Sequence, residues 1–419
     1  MSAKPVFWSS VFNSIPSSVT RFMSLGFQQN LQTSEFNSEI LIPYDFTLSK
    51  LHAESSDPGS PDTIDFTVRK NRADTSLTCQ INGGENEEQD DVNTPTGLAG
   101  DAISVKIVSS AGMPAWNPTY GTVHVECGNG KSFISGGSAS SSSTTTSYFN
   151  PNGGPSSTTL ANRDVPVPTP FILERFYVKI ETAPGSGNGW TFDVLKNGST
   201  VIATVTISGT ATTGNQTGLS AAVAAGDTIT IRRSVASGTP ASYTGMAWGI
   251  GIAPNTAGEH LYFSVNTSTP TNSGVQRHVT VHGTSSDHQD TDAYADDGVP
   301  RITMDIKRLY VLLTGAPGSG NSWQFWLCDG TDVQSSVTVT ISGTSTSGND
   351  TANTATLTAA VDYTEITYQA VGGTPSTATL MLFGYVGYIA EAGGPTGQPT
   401  YSRRKDQKFL KQSPALLTA

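Results

Sequence analysis

The sequence predicts an all-β protein: three tandem jelly-roll β-sandwich domains followed by an extended C-terminal tail. Three observations carry this expectation. A strand–turn–strand pattern recurs three times at nearly fixed spacing. Apolar residues alternate at period two, the period of a half-buried strand, and no helical periodicity competes with it. Charged residues make up only 14 % of 419 residues, with 43 glycines, a composition suited to turn-rich sandwiches.

The first copy runs Pro58-Gly59-Ser60, Ile64, Phe66, Val68, Ile81-Asn82-Gly83, Gly100-Asp101 and Gly112-Met113-Pro114-Ala115. The second runs Pro184-Gly185-Ser186, Trp190, Phe192, Val194, Ile207-Ser208-Gly209, Gly226-Asp227 and Gly238-Thr239-Pro240-Ala241. Its landmarks are displaced by one interval (184−58 = 126; 192−66 = 126; 238−112 = 126). The third runs Pro317-Gly318-Ser319, Trp323, Phe325, Leu327, Ile341-Ser342-Gly343, Asp362 and Gly373-Thr374-Pro375, displaced by 133 to 135 (317−184; 373−238). Constant offsets mean one domain built three times.

Within each copy the large residues fall on one strand face. Ile64, Phe66 and Val68 alternate with Asp65, Thr67 and Arg69. The next strand puts Leu77, Cys79 and Ile81, then Ala203, Val205 and Ile207, then Val337, Val339 and Ile341, on the inner face. Asn197-Gly198 and Asp329-Gly330 are two-residue hairpin signals, because both central residues need positive φ. Asn71-Arg72 lacks the glycine, so a different turn is expected there. Leu195, Cys328 and Trp326 break the polar side of the pattern and are expected under another domain or subunit. Phe7-Trp8, Tyr148-Phe149 and Tyr262-Phe263 mark first strands. The expected boundaries are 1–127, a degenerate first domain with an N-terminal arm; 128–147, a Gly/Ser/Thr linker; 148–255; 256–391; and 392–419, a basic tail.

Composition excludes several function classes. A net charge of −11 and a pI near 4.9 disfavour a phosphate backbone as partner. Cys79, Cys127 and Cys328 are too few and too scattered for a disulfide framework or a metal cage. Residues 1–16 hold one lysine and no long apolar core, so no secretory signal is expected, and no apolar run suits a membrane span. The chain is therefore expected to be made in a host cytoplasm and to need no cofactor.

Motifs that could carry chemistry read more simply as structure. Gly130-Lys131-Ser132 resembles the end of a phosphate-binding loop, but Val125 stands where the motif needs glycine. Asp101, Asp227 and Asp362 recur, at turns entering strands where Asp caps backbone. Asp287, Asp290, Asp292, Asp296 and Asp297, with His278, His282 and His288 near, could offer oxygen ligands to Ca²⁺ but lack the spacing of a calcium loop; a solvated loop is expected. No Ser/His/Asp set follows the repeats, so no catalytic residue is assigned.

The run 171–251, with PGSGNGWTFDVLKNG, TVTISGTATTGN, AAGDTITI and SGTPA, resembles a module of tailed-phage virion proteins and related bacterial surface proteins. That module is similar to the tumour-necrosis-factor/complement-type jelly roll. The resemblance is good for copy two, fair for copy three and weak for copy one. It implies binding and assembly, and such modules usually trimerise. The expected function is a non-enzymatic virion structural protein, a capsid decoration, cement or head-spike protein. The alternatives are a tail or head fibre that binds host glycans through aromatics such as Trp116, Trp326, Tyr363 and Tyr368, and a bacterial surface adhesin. Expected partners are other virion proteins and further copies, or a pseudo-trimer made by the three repeats. Candidate contacts are Trp326 and the tail residues Arg403, Arg404, Lys405, Lys408, Phe409 and Leu410.

Overall fold

A computed structural model describes residues 6–11, 18–25, 31–55, 58–110, 119–128, 130–141, 144–267, 276–279, 283–285, 303–328, 334–358, 364–376 and 380–389. The acidic cluster 287–297, Trp116, Tyr363, Asp362, the Asp329-Gly330 turn and the tail 392–419 lie outside them. The described elements are strands and two short 3₁₀ turns, arranged as three jelly-roll sandwiches.

Each sandwich pairs two sheets, antiparallel except where Gly283–Ser285 joins Glu259–Asn266 in parallel in sandwich three. One, the hairpin sheet, holds the repeated strand–turn–strand. In sandwich one it orders as Thr20–Met23, Ala102–Ser109, Thr63–Lys70, Ala73–Asn82. In sandwich two the order is Ser147–Phe149, Thr228–Ser237, Gly185–Lys196, Thr200–Gly209, and in sandwich three Arg277–Val279, Ile366–Val371, Gly318–Cys328, Gln334–Gly343. The facing sheet, here the docking sheet, contains Val6–Val11, Thr119–Cys127, Phe46–Ser55 and Glu87–Asp90 in sandwich one. Its counterparts are Ser132–Ser141, Tyr243–Pro254, Phe171–Ile180, Thr213–Val223 and then Glu259–Asn266, Met381–Tyr388, Met304–Leu313, Ser347–Leu357. The strand order is the same three times.

The alternating residues fill the interiors. Ile64, Phe66, Val68, Trp190, Phe192, Val194, Trp323, Phe325 and Leu327 are all buried, each large apolar side chain stabilising by about 1.5–3 kcal/mol. Each hairpin carries a register shift at the matching place: between Thr67 and Arg69, Val194 and Leu195, Trp326 and Cys328. The shifts are confined to the hairpin pairing, since Gly185–Lys196 and Gly318–Cys328 keep unbroken register with their other neighbours at these positions.

Three expectations about local structure are corrected. The Asn71-Arg72 turn is of the same kind as Asn197-Gly198: φ is +49° and +66° in the first and +52° and +70° in the second. Arg72 tolerates the left-handed backbone while its guanidinium donates to Glu39 (2.8 Å) and lies 5.1 Å from the Phe36 ring. The expected linker 128–147 is instead largely strand Ser132–Ser141, the first strand of sandwich two, hydrogen-bonded along Tyr243–Pro254. Its small residues serve close packing rather than flexibility: a Cβ on Gly136 would sit 2.5 Å from the Gly153 nitrogen. Tyr148-Phe149 consequently belongs to the second strand of its sandwich, an edge of the hairpin sheet.

Candidate functional site: the junctions between sandwiches

Residues 1–389 form one compact unit, and its sandwiches meet through two junctions of the same design. A proline-bearing loop of one sandwich lies across the outer face of the next docking sheet, over a glycine. At junction one the loop is Leu41-Ile42-Pro43-Tyr44. A Cβ on Gly249 would fall 2.3 Å from the Leu41 carbonyl oxygen and 3.1 Å from Pro43 Cδ. At junction two the loop is Pro166-Val167-Pro168-Thr169. A Cβ on Gly384 would fall 2.1 Å from the Pro166 oxygen and 3.1 Å from Pro168 Cδ. Real Cβ atoms do not approach backbone so closely, so both seats require glycine.

Apolar burial runs through both junctions. Phe133, on the first strand of sandwich two, is buried with the core of sandwich one. Leu261, Phe263, Val265 and Leu382 of sandwich three are buried with the core of sandwich two. The three interiors are therefore not separated by solvated linkers.

Charged residues frame each loop. At junction one Tyr44 donates to Glu174 (2.8 Å), Lys131 pairs with Glu174 (2.5 Å), and Arg175 lies 4.7 Å from the Tyr44 ring and donates to the Pro43 oxygen (3.2 Å). Burial first, then the bond to Glu174, pushes the Tyr44 hydroxyl upward, so it stays a donor. Buried Glu39 receives Lys179 (2.7 Å) and Arg72 (2.8 Å). At junction two fully buried Glu259 accepts hydrogen bonds at Oε2 from Thr169 Oγ1 (2.7 Å) and Arg308 (3.1 Å), and its Oε1 lies 3.1 Å from the Lys307 ammonium as an ion pair. A cavity of about 320 Å³ opens beside it, lined by Pro168, Pro170, Thr256, Arg308 and Tyr310. Arg308 is already committed to Glu259 and Thr169.

The sequence-derived candidates fare differently. Trp326, expected at a partner contact, is only 2 % exposed and is not presented to a partner. It sits on an inner strand of its sheet, between Thr338 and Thr367, and the chain itself covers it. Leu195 and Cys328 are covered within the chain too. Tyr368, a sugar-stacking candidate, is fully buried against Trp323, with ring centroids 5.6 Å apart. The six tail contacts lie outside the described residues.

Lys131 of the Gly-Lys-Ser run serves the Glu174 ion pair. Asp101 and Asp227 are turn residues: Asn71 and Asn197 donate to them (2.6 and 2.8 Å), as do the Leu98 and Ala224 amides (2.8 Å each). Burial raises the Asp227 carboxyl, but the bonds from Asn197 and Ala224 and nearby Lys196 outweigh it and hold the group below its ordinary range. Burial also pushes the Cys79 and Cys127 thiols up to about 12, so they stay protonated and weakly nucleophilic. Among the described residues no cluster of His, Cys, Asp and Glu has the arrangement of a metal site.

Sequence reasoning missed Glu174, Glu259, Lys307 and Arg308. The available signal was a lone acid, Glu259, opening the apolar strand EHLYFSVN.

No protein-family model matches the chain, and no curated protein matches it. Among solved structures, a chain reported under "The Triple Jelly Roll Fold and Turret Assembly in an Archaeal Virus" is similar over 90 % of this chain and 91 % of that one. Identity is 13 % and the TM-score is 0.16, a likeness too slight to assign a role.

Proposed function

We propose that the chain is a non-enzymatic structural protein of a tailed-phage virion, a capsid decoration, cement or head-spike protein that acts through protein–protein contacts, alone as a pseudo-trimer or as a homo-oligomer. The observation that carries this reading is the continuity of three sandwich cores through two glycine-seated junctions. Such a body presents broad rigid sheets and loops. Asp101 and Asp227 are spent on turns, and Lys131 on an ion pair. The resemblance of residues 171–251 to phage virion modules points the same way.

Burial of Trp326 and Tyr368 favours this reading over glycan capture, because neither ring can stack on a sugar. Antibody against the purified chain, applied to virions from the source lysate, tests the proposal. Regular gold labelling of the particles is expected; label confined to cell surfaces or free protein would contradict it. A glycan array should show no binding.

A further inference from the structure

Both junctions use one backbone geometry, yet their ion pairs have opposite polarity. The correspondence follows from register. Gly249 faces Ser135 on one side and Tyr177 on the other. Gly384 faces Phe263 and, on its other side, Tyr310. Lys131 stands four residues before Ser135, and Glu259 stands four before Phe263. Glu174 stands three before Tyr177, and Lys307 three before Tyr310. The lysine–glutamate pair of junction one thus becomes a glutamate–lysine pair at the same two sites of junction two (2.5 and 3.1 Å). Arg175 and Arg308 keep one sign at one position.

The loop residue changes with the pair. Pro43 and Pro168 meet their glycines alike, and the next residue supplies a hydroxyl. Tyr44 is long and donates to the acid on the strand Phe171–Ile180. Thr169 is short and donates to the acid on the strand Glu259–Asn266. Exchanged, Tyr44 would aim its hydroxyl at the Lys307 ammonium, which accepts no hydrogen bond. Thr169 would fall short of Glu174 and face Lys131 instead. Either mismatch leaves polar groups desolvated without partners.

We infer that the two junctions are keyed: pair polarity and the hydroxyl-bearing loop residue are matched so that each seat accepts the loop of its own preceding sandwich. The excluded partner is the other loop, offered by the same chain or by a second copy of it. Two seats of equal shape on one chain otherwise invite domain-swapped assembly at high concentration. This inference stands independently of the virion role.

The test makes junction one chemically like junction two. Tyr44→Thr alone and Lys131→Glu/Glu174→Lys alone each break the match; the triple variant Y44T/K131E/E174K restores it. Melting temperature and the monomer fraction after refolding are read by calorimetry and light scattering. Each mismatched variant should lose at least about 2–4 °C and yield dimers, and the triple variant should recover more than half of both losses. A triple variant no better than its parents overturns the inference, as do mismatched variants that behave like wild type. If the swaps fail to fold, Tyr44→Phe is compared in wild type and in Glu174→Ala. Its cost should vanish in the second background, and an equal cost in both overturns the inference.

Discussion

Junction one and junction two share a backbone and differ in charge. In both, a proline loop crosses a glycine with no room for a methyl group. In the first, the ion pair is half-buried, its partners 29 % and 27 % exposed; in the second, the acid is fully buried and receives two cations and a hydroxyl. Shape decides where a loop can sit, and charge decides which loop sits well. Sandwich one extends the comparison. The position five residues before the end of its matching strand, like Gly249 before Pro254, is Thr122, buried and already carrying a Cβ. That position therefore offers no glycine seat.

The deepest difference predicts the largest effect. Glu259→Gln removes the buried charge that holds Lys307 and Arg308, and should cost about 2–3 kcal/mol in chemical denaturation, since two half-buried cations lose their partner. Gly249→Ala places a methyl against the Leu41 carbonyl and should cost about 1–3 kcal/mol by the same measurement. Glu174→Gln acts on the more exposed pair and should cost about 1 kcal/mol or less, with most of the loss removed by high salt. Near-equal costs for Glu259→Gln and Glu174→Gln would erase the distinction between the junctions.

Acid should act on three carboxylates that accept hydrogen bonds from nearby backbone amides. At Asp90, Asp227 and Asp350 burial raises the carboxyl, but amide and asparagine donors outweigh it, so each group is held below its ordinary value. A depressed folded value means stability that is present above about pH 4 and lost as pH falls through the folded value. Asp164 works in the opposite sense, because burial raises it and protonation relieves that cost. The melting temperature should therefore fall between pH 4 and pH 2, and Asp227→Asn should flatten the fall. A fall of unchanged steepness in that variant would remove Asp227 from the account.

Much of the fold is legible in the sequence because it is local. Period-two residues such as Phe66, Phe192 and Phe325 point inward wherever one face is buried, and the Asn-Gly turn and the bond from the Ala224 amide to Asp227 span only a few residues. The rest depends on distant neighbours. Small residues 132–141 read as a linker until Gly136 is seen against Gly153. Trp326 reads as a surface aromatic until its strand is seen to lie inside its sheet with the ring covered by the chain itself. Lys131 and Glu174 are 43 residues apart, and their meaning appears only when the loop from sandwich one lies between their strands.

The central claim is that the three sandwiches are one body welded at glycine seats. Calorimetry of the intact chain, compared with Gly384→Val, tests it most directly. Fused cores predict one cooperative transition in the wild type that divides in two when a valine blocks the second seat. Three separate transitions in the wild type, unmoved by the valine, would mean that the sandwiches fold as independent beads and that the junctions hold nothing together.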